Sequence, residues 1–216
     1  YGENSENVYY YLTVYNEPYI QPAEPENLDV AALLKGIYLF QNGAKQRKKN
    51  AQILASGVGM NWALKAANLL QSDWGISASV WSVTSWNELR RDGLAVDRHN
   101  LLNPSDRRSA YITNKLKGAP GPVIAVSDYM RAVQDQIAPW VEQEFVSLGT
   151  DGFGLSDTRG ALRRHFKVDA ESIVIATLAA LAKSGEVKQS VVQDAINKYQ
   201  INDINAADPG NTEGSG

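Results

Sequence analysis

The chain has 216 residues, of which 44% are hydrophobic and 21% charged, a composition typical of a folded globular protein. Its formal net charge of −3 offers no broad basic field for a phosphate backbone, which argues against a nucleic-acid partner. Cysteine is absent and only two histidines occur, so disulfides and thiol nucleophiles are excluded and a histidine-rich metal site is disfavoured; the longest apolar run, at residues 173–182, is too short to span a membrane.

The first predicted element is a strand over residues 8–15, which are rich in aromatic and β-branched side chains. Prolines at positions 18, 22 and 25 follow it, and these exclude a helix interior or a central strand because proline lacks the backbone donor. We interpret residues 1–27 as the end of one structural unit and an extended linker. The start at Tyr1 rather than methionine suggests a fragment, a processed product or the ordered part of a longer protein.

Asp29 is placed to cap a short helix. Residues 37–41 and 52–56 have strand composition, and the polar turn between them carries Lys45, Arg47, Lys48 and Lys49. This pattern predicts a β-hairpin with a basic tip. The tip has two interpretations, a solvated turn that protects a sheet edge or a contact surface for another protein.

Glycines 57 and 59 precede a helix whose apolar residues recur at helical spacing from position 60 to 70. The junction is either a tight turn or an anion contact at the helix start. Further elements alternate along the chain. Strands are predicted at 80–83, 122–127 and 145–148, and helices at 86–91, 129–140, 158–166, 171–183 and 187–199.

This alternation predicts an α/β protein with three layers, α/β/α, around a mostly parallel sheet. The linker and the last strand of a preceding domain come before it. We expect the main domain to occupy residues 28–204 and residues 205–216 to form a flexible polar tail.

The segment LGTDGFGLSDTR at residues 148–159 has three glycines after a strand, and Ser156 or Asp157 is placed to cap the next helix. Its residues alone leave two interpretations open, a structural turn or the wall of an interface or site. Elsewhere no catalytic constellation is complete. Ser127 lacks a GxSxG elbow, and neither His99 nor His165 has a nucleophile at a suitable spacing.

Five motifs carry a resemblance to a known family. They are VYYYLTVYNEPY at residues 8–19, KGIY at 35–38, SVTSWNELRRDG at 82–93, SDYMRAVQDQIAPW at 127–140 and LGTDGFGLSDTRGALRRHFKVDAESIV at 148–174. With them, the chain resembles the C-terminal portion of the homodimer-type bacterial pyruvate dehydrogenase first component, a thiamine-diphosphate-dependent decarboxylating subunit with a transketolase-like C-terminal domain. The actinobacterial branch is the most similar.

The resemblance implies a cytoplasmic enzyme that oxidatively decarboxylates pyruvate and passes the acetyl group to a lipoyl group. Thiamine diphosphate and Mg²⁺ would be bound by other domains of the subunit, and this chain alone would bind neither and would be inactive. The implied partners are the rest of the subunit, a second copy in a homodimer and the dihydrolipoyl acyltransferase core; no membrane is implied. An alternative is an assembly module that mainly mediates dimerisation or docking to that core.

For site residues the resemblance implies little. Glu17 matches a family glutamate in the NEPY segment and is the single catalytic candidate, whereas the position of the family histidine is Ile20 here. The loop that contains Asp151 and Phe153 is expected to face partner domains, so both residues are interface candidates.

Overall fold

The computed structural model describes residues 9, 12, 14, 19–44 and 49–207. These residues contain a five-stranded sheet. Its strands are β1 (Ile37–Gln41), β2 (Asn50–Ala55), β3 (Ser77–Val83), β4 (Val123–Val126) and β5 (Phe145–Leu148). The helices are α1 (Val30–Leu34), α2 (Gly59–Trp74), α3 (Trp86–Leu102), α4 (Tyr111–Leu116), α5 (Arg131–Asp135), α6 (Arg159–His165), α7 (Ala170–Lys183) and α8 (Gln189–Lys198).

The strand order is β1-β3-β2-β4-β5, and every pairing is parallel except that of β1 with β3. The predicted α/β fold with a mostly parallel sheet is therefore confirmed. β2 is the central strand, since Ile53 is in register with Val80 on one side and Ile124 on the other. Every β2 residue after Asn50 is buried, as expected of a strand covered on both faces.

Each face of the sheet has its own hydrophobic core, because successive side chains of a strand point to opposite faces. Ile53 and Val80 belong to the core that α2, α7 and α8 cover. Leu54 and Trp81 belong to the core on the other face, which α3 and α4 cover together with the segment around Ile137. The molecule is thus the expected three-layer α/β/α arrangement.

Side-chain caps begin several helices, as the sequence indicates for the first. Asp29 Oδ1 accepts a hydrogen bond from the Ala32 amide at 2.9 Å, as predicted. The prediction that Ser156 or Asp157 caps α6 is wrong. The N-cap is Thr158, whose Oγ1 accepts from the Ala161 amide at 3.3 Å, while Asp157 accepts from the Thr158 amide.

The predicted β-hairpin between residues 37–41 and 52–56 is wrong. β1 and β2 are not neighbours, because β3 lies between them and pairs with both. In this arrangement β2 has a parallel partner on each side, which two short adjacent strands cannot indicate from local sequence. The basic tip at residues 45–48 lies outside the described residues, although Lys49 is described.

The single helix predicted over residues 129–140 is also wrong in extent. The structure has the five-residue α5 and then a 3₁₀ turn over Ala138–Trp140 that contains Pro139, which has no amide to donate. The strand predicted at 8–15 falls almost entirely on residues outside the described part, and the domain boundaries stay predictions. Among the described residues no helix is both long and apolar enough to cross a bilayer.

Candidate functional site

The carboxyl ends of β2 and β4 lie side by side where the chain connections diverge. From β2 the chain continues through α2 to β3, and from β4 it continues through α5 to β5 on the opposite side. Ligands and partners of open α/β sheets meet the protein at such a topological switch point. The residue after each strand is a serine, Ser56 and Ser127, so two hydroxyls meet there.

Ser56, Ser127 and Trp86 form a buried hydrogen-bonded chain at this point. Trp86 Nε1 donates to Ser56 Oγ at 3.0 Å, and Ser56 Oγ donates to Ser127 Oγ at 2.9 Å. Ser127 Oγ also accepts from the Tyr129 amide at 3.2 Å. Because every member is bonded within the chain, this network holds three loops together and does not present an activated nucleophile.

The two histidines lie elsewhere. His99 Nε2 lies 2.7 Å from the Asp106 carbonyl oxygen, and the His165 ring packs edge-on against Phe166. Neither has a listed contact with the serine pair's network, whose partners are given above. A serine–histidine catalytic arrangement is therefore not formed among the described residues.

An open cleft of about 800 Å³ lies beside the serine network. The linker forms one wall with Tyr19 and Glu24, and β1 and the end of β3 form another with Tyr38 and Thr84. Its walls are mainly hydroxyl, amide and aromatic groups, and Glu24 is the charged side chain that lines it. Such a cleft suits contact with another part of a protein better than acid–base chemistry, which needs paired titratable groups.

The loop at residues 149–157 follows β5, and its base is firmly anchored. The Thr150 amide donates to the Tyr129 carbonyl at 2.9 Å, and Thr150 Oγ1 donates to the Asp128 carbonyl at 2.6 Å. Gly149 allows this approach, since a Cβ there would lie 2.5 Å from the Tyr129 oxygen. Asp151 Oδ1 accepts from the Arg131 amide at 2.9 Å, so the loop also caps the start of α5.

The tip of the same loop projects into solvent. Phe153 is 96% exposed and Leu155 54%, and nearby on the α5 side Tyr129 and Met130 are 49% and 56% exposed. We call these four residues the Phe153 patch. Large apolar side chains grouped on an anchored loop are typical of an interaction surface, since solvent exposure gives them no stability.

The structure places the candidate site residues as follows. Asp151 is an exposed cap of α5, and Phe153 is the most exposed side chain of the patch. Glu17 lies outside the described residues, so its role stays a prediction. Ile20, at the family histidine position, is 74% exposed, and its carbonyl accepts from Asn61 Nδ2 at 3.3 Å near the start of α2.

The described residues contain no group of three or more histidine, aspartate or glutamate side chains placed to hold a metal ion. No diphosphate cradle is evident either, since the cleft carries a carboxylate and no cation. The residues present therefore do not fit thiamine diphosphate with Mg²⁺, and no chemical step is derived through that cofactor here.

Sequence reasoning missed the serine network. Its signal was available, because a serine directly follows each of two buried strands, and parallel strands that are neighbours bring their carboxyl ends together. The missing information was that β2 and β4 are neighbours, which no local pattern gives.

Comparisons with known proteins agree with this architecture. Residues 36–169 match the family model described as the transketolase-like TK C-terminal domain. A crystal structure of transketolase from Pichia stipitis in complex with sedoheptulose-7-phosphate aligns with 76% of this chain and 20% of its own, with a TM-score of 0.50 and 20% identity. At this identity the similarity concerns the fold alone. The sheet, its flanking helices and the matched family define the class, a transketolase-like C-terminal domain.

The chain belongs to this transketolase-like C-terminal domain family, and its sequence relatives are pyruvate dehydrogenase E1 components. It is 59% identical to the one from Mycolicibacterium smegmatis over 96% of its length. Identity is 55% to that from Mycobacterium tuberculosis and 43% to that from Escherichia coli, over 97% and 93% of the chain. The resemblance carried by the five motifs is confirmed. The chain spans only 22–23% of the length of these relatives.

Proposed function

We propose that the chain is the C-terminal domain of a pyruvate dehydrogenase E1 component. The whole subunit would oxidatively decarboxylate pyruvate and pass the acetyl group to a lipoyl group of a dihydrolipoyl acyltransferase core. The observation that carries this proposal is the 59% identity to a pyruvate dehydrogenase E1 component across 96% of the chain. Thiamine diphosphate would supply an electron sink for the bond cleavage, and with Mg²⁺ it would be held by other domains.

The role proposed for this chain is to complete the folded subunit and to help form a homodimer. The Phe153 patch supports it, because an anchored loop holds a 96% exposed phenylalanine away from its own core. The described residues offer no acid–base pair in the cleft, which favours a structural and docking role over a catalytic one. We place the enzyme in the cytoplasm, as its relatives' class of reaction suggests.

The proposed function is tested with the full-length subunit. Pyruvate-dependent reduction of ferricyanide is measured with added thiamine diphosphate and Mg²⁺, alongside the intact mass of the protein. We expect activity from the full-length subunit and none from the 216-residue chain of 23.6 kDa. A full-length subunit that is folded and dimeric but inactive on pyruvate and other 2-keto acids would remove the proposal.

The alternative, an assembly module for core docking, is favoured by the basic tip. Replacing Lys45, Arg47, Lys48 and Lys49 by serine in the full-length subunit is expected to weaken binding to the acyltransferase core, because rim charges steer association. Decarboxylation measured with ferricyanide should be unchanged. Binding is measured by surface plasmon resonance at two salt concentrations, with Lys188→Ser as a control for loss of one exposed cation. Unchanged core binding would dismiss this role for the tip.

A further inference from the structure

The outer face of α3 is an unpartnered surface of arginine and leucine. Trp86, Leu89 and Gly93 face the core, and the opposite side of the helix carries Arg91, Leu94, Arg98, Leu101 and Leu102. Positions 91, 94, 98 and 101 follow the alternating three- and four-residue spacing of a helix–helix seam. Leu94, Leu101 and Leu102 are 45%, 80% and 69% exposed. We call these five residues the Arg–Leu face.

The charges of α3 are sorted by side. Its carboxylates serve the domain itself: Asp92 Oδ2 accepts from the Tyr111 amide at 2.5 Å and caps α4, and Asp97 Oδ2 accepts from Trp140 Nε1 at 3.1 Å. On the outer side, Arg98 forms no ion pair with any residue that the structure describes. Arg91 pairs with Glu88 of its own helix in an exposed contact, which contributes little. The outer face is therefore cationic.

The end of α3 is ordered although it projects from the core. The loop that follows is fixed to the helix, since Asn100 Nδ2 donates to the Arg108 carbonyl at 2.9 Å and the Arg108 amide donates to Asn100 Oδ1 at 2.8 Å. His99 Nε2 contacts the Asp106 carbonyl at 2.7 Å. Two adjacent leucines are thus presented on a preorganised surface, so that a partner would order little on binding.

We propose that the Arg–Leu face packs against an acidic amphipathic helix in the remaining part of the same enzyme subunit or its dimer mate. Charge complementarity requires carboxylates facing Arg91 and Arg98, and the exposed leucines require apolar side chains between them. Self-association through two copies of this face would oppose arginine to arginine. The relatives extend well beyond the matched region, of which this chain spans 22%, and so provide chain length for such a helix.

This inference rests on the proposed function and is tested in the full-length subunit. A photo-crosslinking benzoylphenylalanine is placed at position 101, with the exposed position Ser190 of α8 as the matched control. We expect position 101 to crosslink to a helical peptide that carries aspartate or glutamate and lies outside these 216 residues. The control position should give at most a tenth of that yield.

Charge variants test the electrostatic part. Arg98→Glu is expected to lower the crosslinking yield about ten-fold, because a like charge then faces the carboxylates, whereas Arg98→Lys should keep most of it. Lys188→Glu serves as the charge control on α8. Circular dichroism should be unchanged for all variants, since the substituted side chains are exposed.

Several outcomes would overturn the inference. These are no crosslink above the control, crosslinks only within the 216 residues, crosslinks to α3 of a second copy, or a yield that Arg98→Glu leaves unchanged. The ferricyanide assay on the same preparations separates this failure from that of the proposed function. An active enzyme without the crosslink disproves the inference alone, and an inactive enzyme with the crosslink disproves only the proposed reaction.

Discussion

Gly93 is the residue at which α3 comes closest to the 3₁₀ turn before β5. A Cβ at Gly93 would lie 2.3–2.5 Å from ring carbons of Trp140, closer than real Cβ contacts. Trp140 has little freedom to move away, because its Nε1 donates to Asp97 and its carbonyl accepts from Thr113 Oγ1 at 2.6 Å. Glycine therefore fixes the distance between α3 and this turn.

Gly93→Ala is expected to lower the free energy of unfolding of the 216-residue chain by about 1–3 kcal/mol through overpacking. The gain in helix propensity, about 1 kcal/mol, offsets part of this cost. Urea unfolding followed by tryptophan fluorescence measures the change. Gly154→Ala is the control, because no heavy atom lies within 4 Å of a Cβ there. Equal midpoints for both variants would contradict the argument.

Tyr199, just after α8, ties that helix to the end of α2. Its hydroxyl donates to Asp73 Oδ2 at 2.7 Å and accepts from Trp74 Nε1 at 2.9 Å. Burial, and then the hydrogen bond to the Asp73 carboxylate, raise the pKa of Tyr199 well above its ordinary value of 10.0. Hydrogen bonds from Lys198 and then Tyr199 hold the pKa of Asp73 below its ordinary value of 3.8.

Tyr199→Phe is expected to lower the free energy of unfolding by about 1–3 kcal/mol at pH 7, because Trp74 and Asp73 lose a partner. The raised pKa of Tyr199 means that its contribution is complete below pH 10 and declines as the pH rises toward the folded-state value. Between pH 9 and pH 11 the stability of the wild type should therefore approach that of the variant. Urea titrations across this range measure it, and a constant difference would contradict the assignment.

At the scale of elements, the loop from Gly149 to Asp157 combines a fixed base with a free tip. Asp151 and Thr150 bind the base to the start of α5, so Phe153 is held outward by a defined framework. The glycine-rich sequence after a strand indicated either a turn or an interface wall, and the structure contains features of both. The sequence could not predict that Asp151 caps a helix twenty positions earlier, because that bond depends on β4 and β5 being neighbours.

Phe153→Ser in the full-length subunit is expected to raise the dissociation constant of the dimer at least about ten-fold, as loss of a buried aromatic anchor does. The folded content should be unchanged, since Phe153 contributes no burial within this chain. Analytical ultracentrifugation measures the dimer. Leu34→Ser removes an equally apolar side chain, 72% exposed, outside the patch and is expected to be neutral. A dimer as stable as the wild type would exclude Phe153 from the interface.

Secondary structure was largely predictable from local patterns, but pairing was not. The apolar spacing of α2 and the buried runs of β4 and β5 indicated these elements close to their observed bounds. The hairpin prediction failed because β3, distant in sequence, pairs with both β1 and β2. α3 extends to Leu102, well beyond the predicted end, because its outer residues are polar or exposed and give no core pattern.

At the scale of the whole molecule, the catalytic candidate Glu17 depends on parts of the enzyme outside this chain. Glu17→Ala in the full-length subunit is expected to lower kcat by about 10²-fold or more if the carboxylate acts in the active site. Steady-state kinetics with pyruvate measures this, and Glu24→Ala, on the cleft wall, is the control. Dimer stability must be unchanged for the result to count. Wild-type turnover in Glu17→Ala would remove it from the active site.

The region that matches the family model ends at residue 169, one residue before α7 begins. Yet Ile173, Leu178 and Leu181 of α7 are fully buried in the core above α2 and the sheet. On the ribosome, a nascent chain that has exposed β1 to β5 but not α7 therefore displays one greasy face of a finished sheet. Chaperones and proteases recognise such surfaces, so the fate of each newly made molecule depends on how promptly its last fifth emerges and closes over that face.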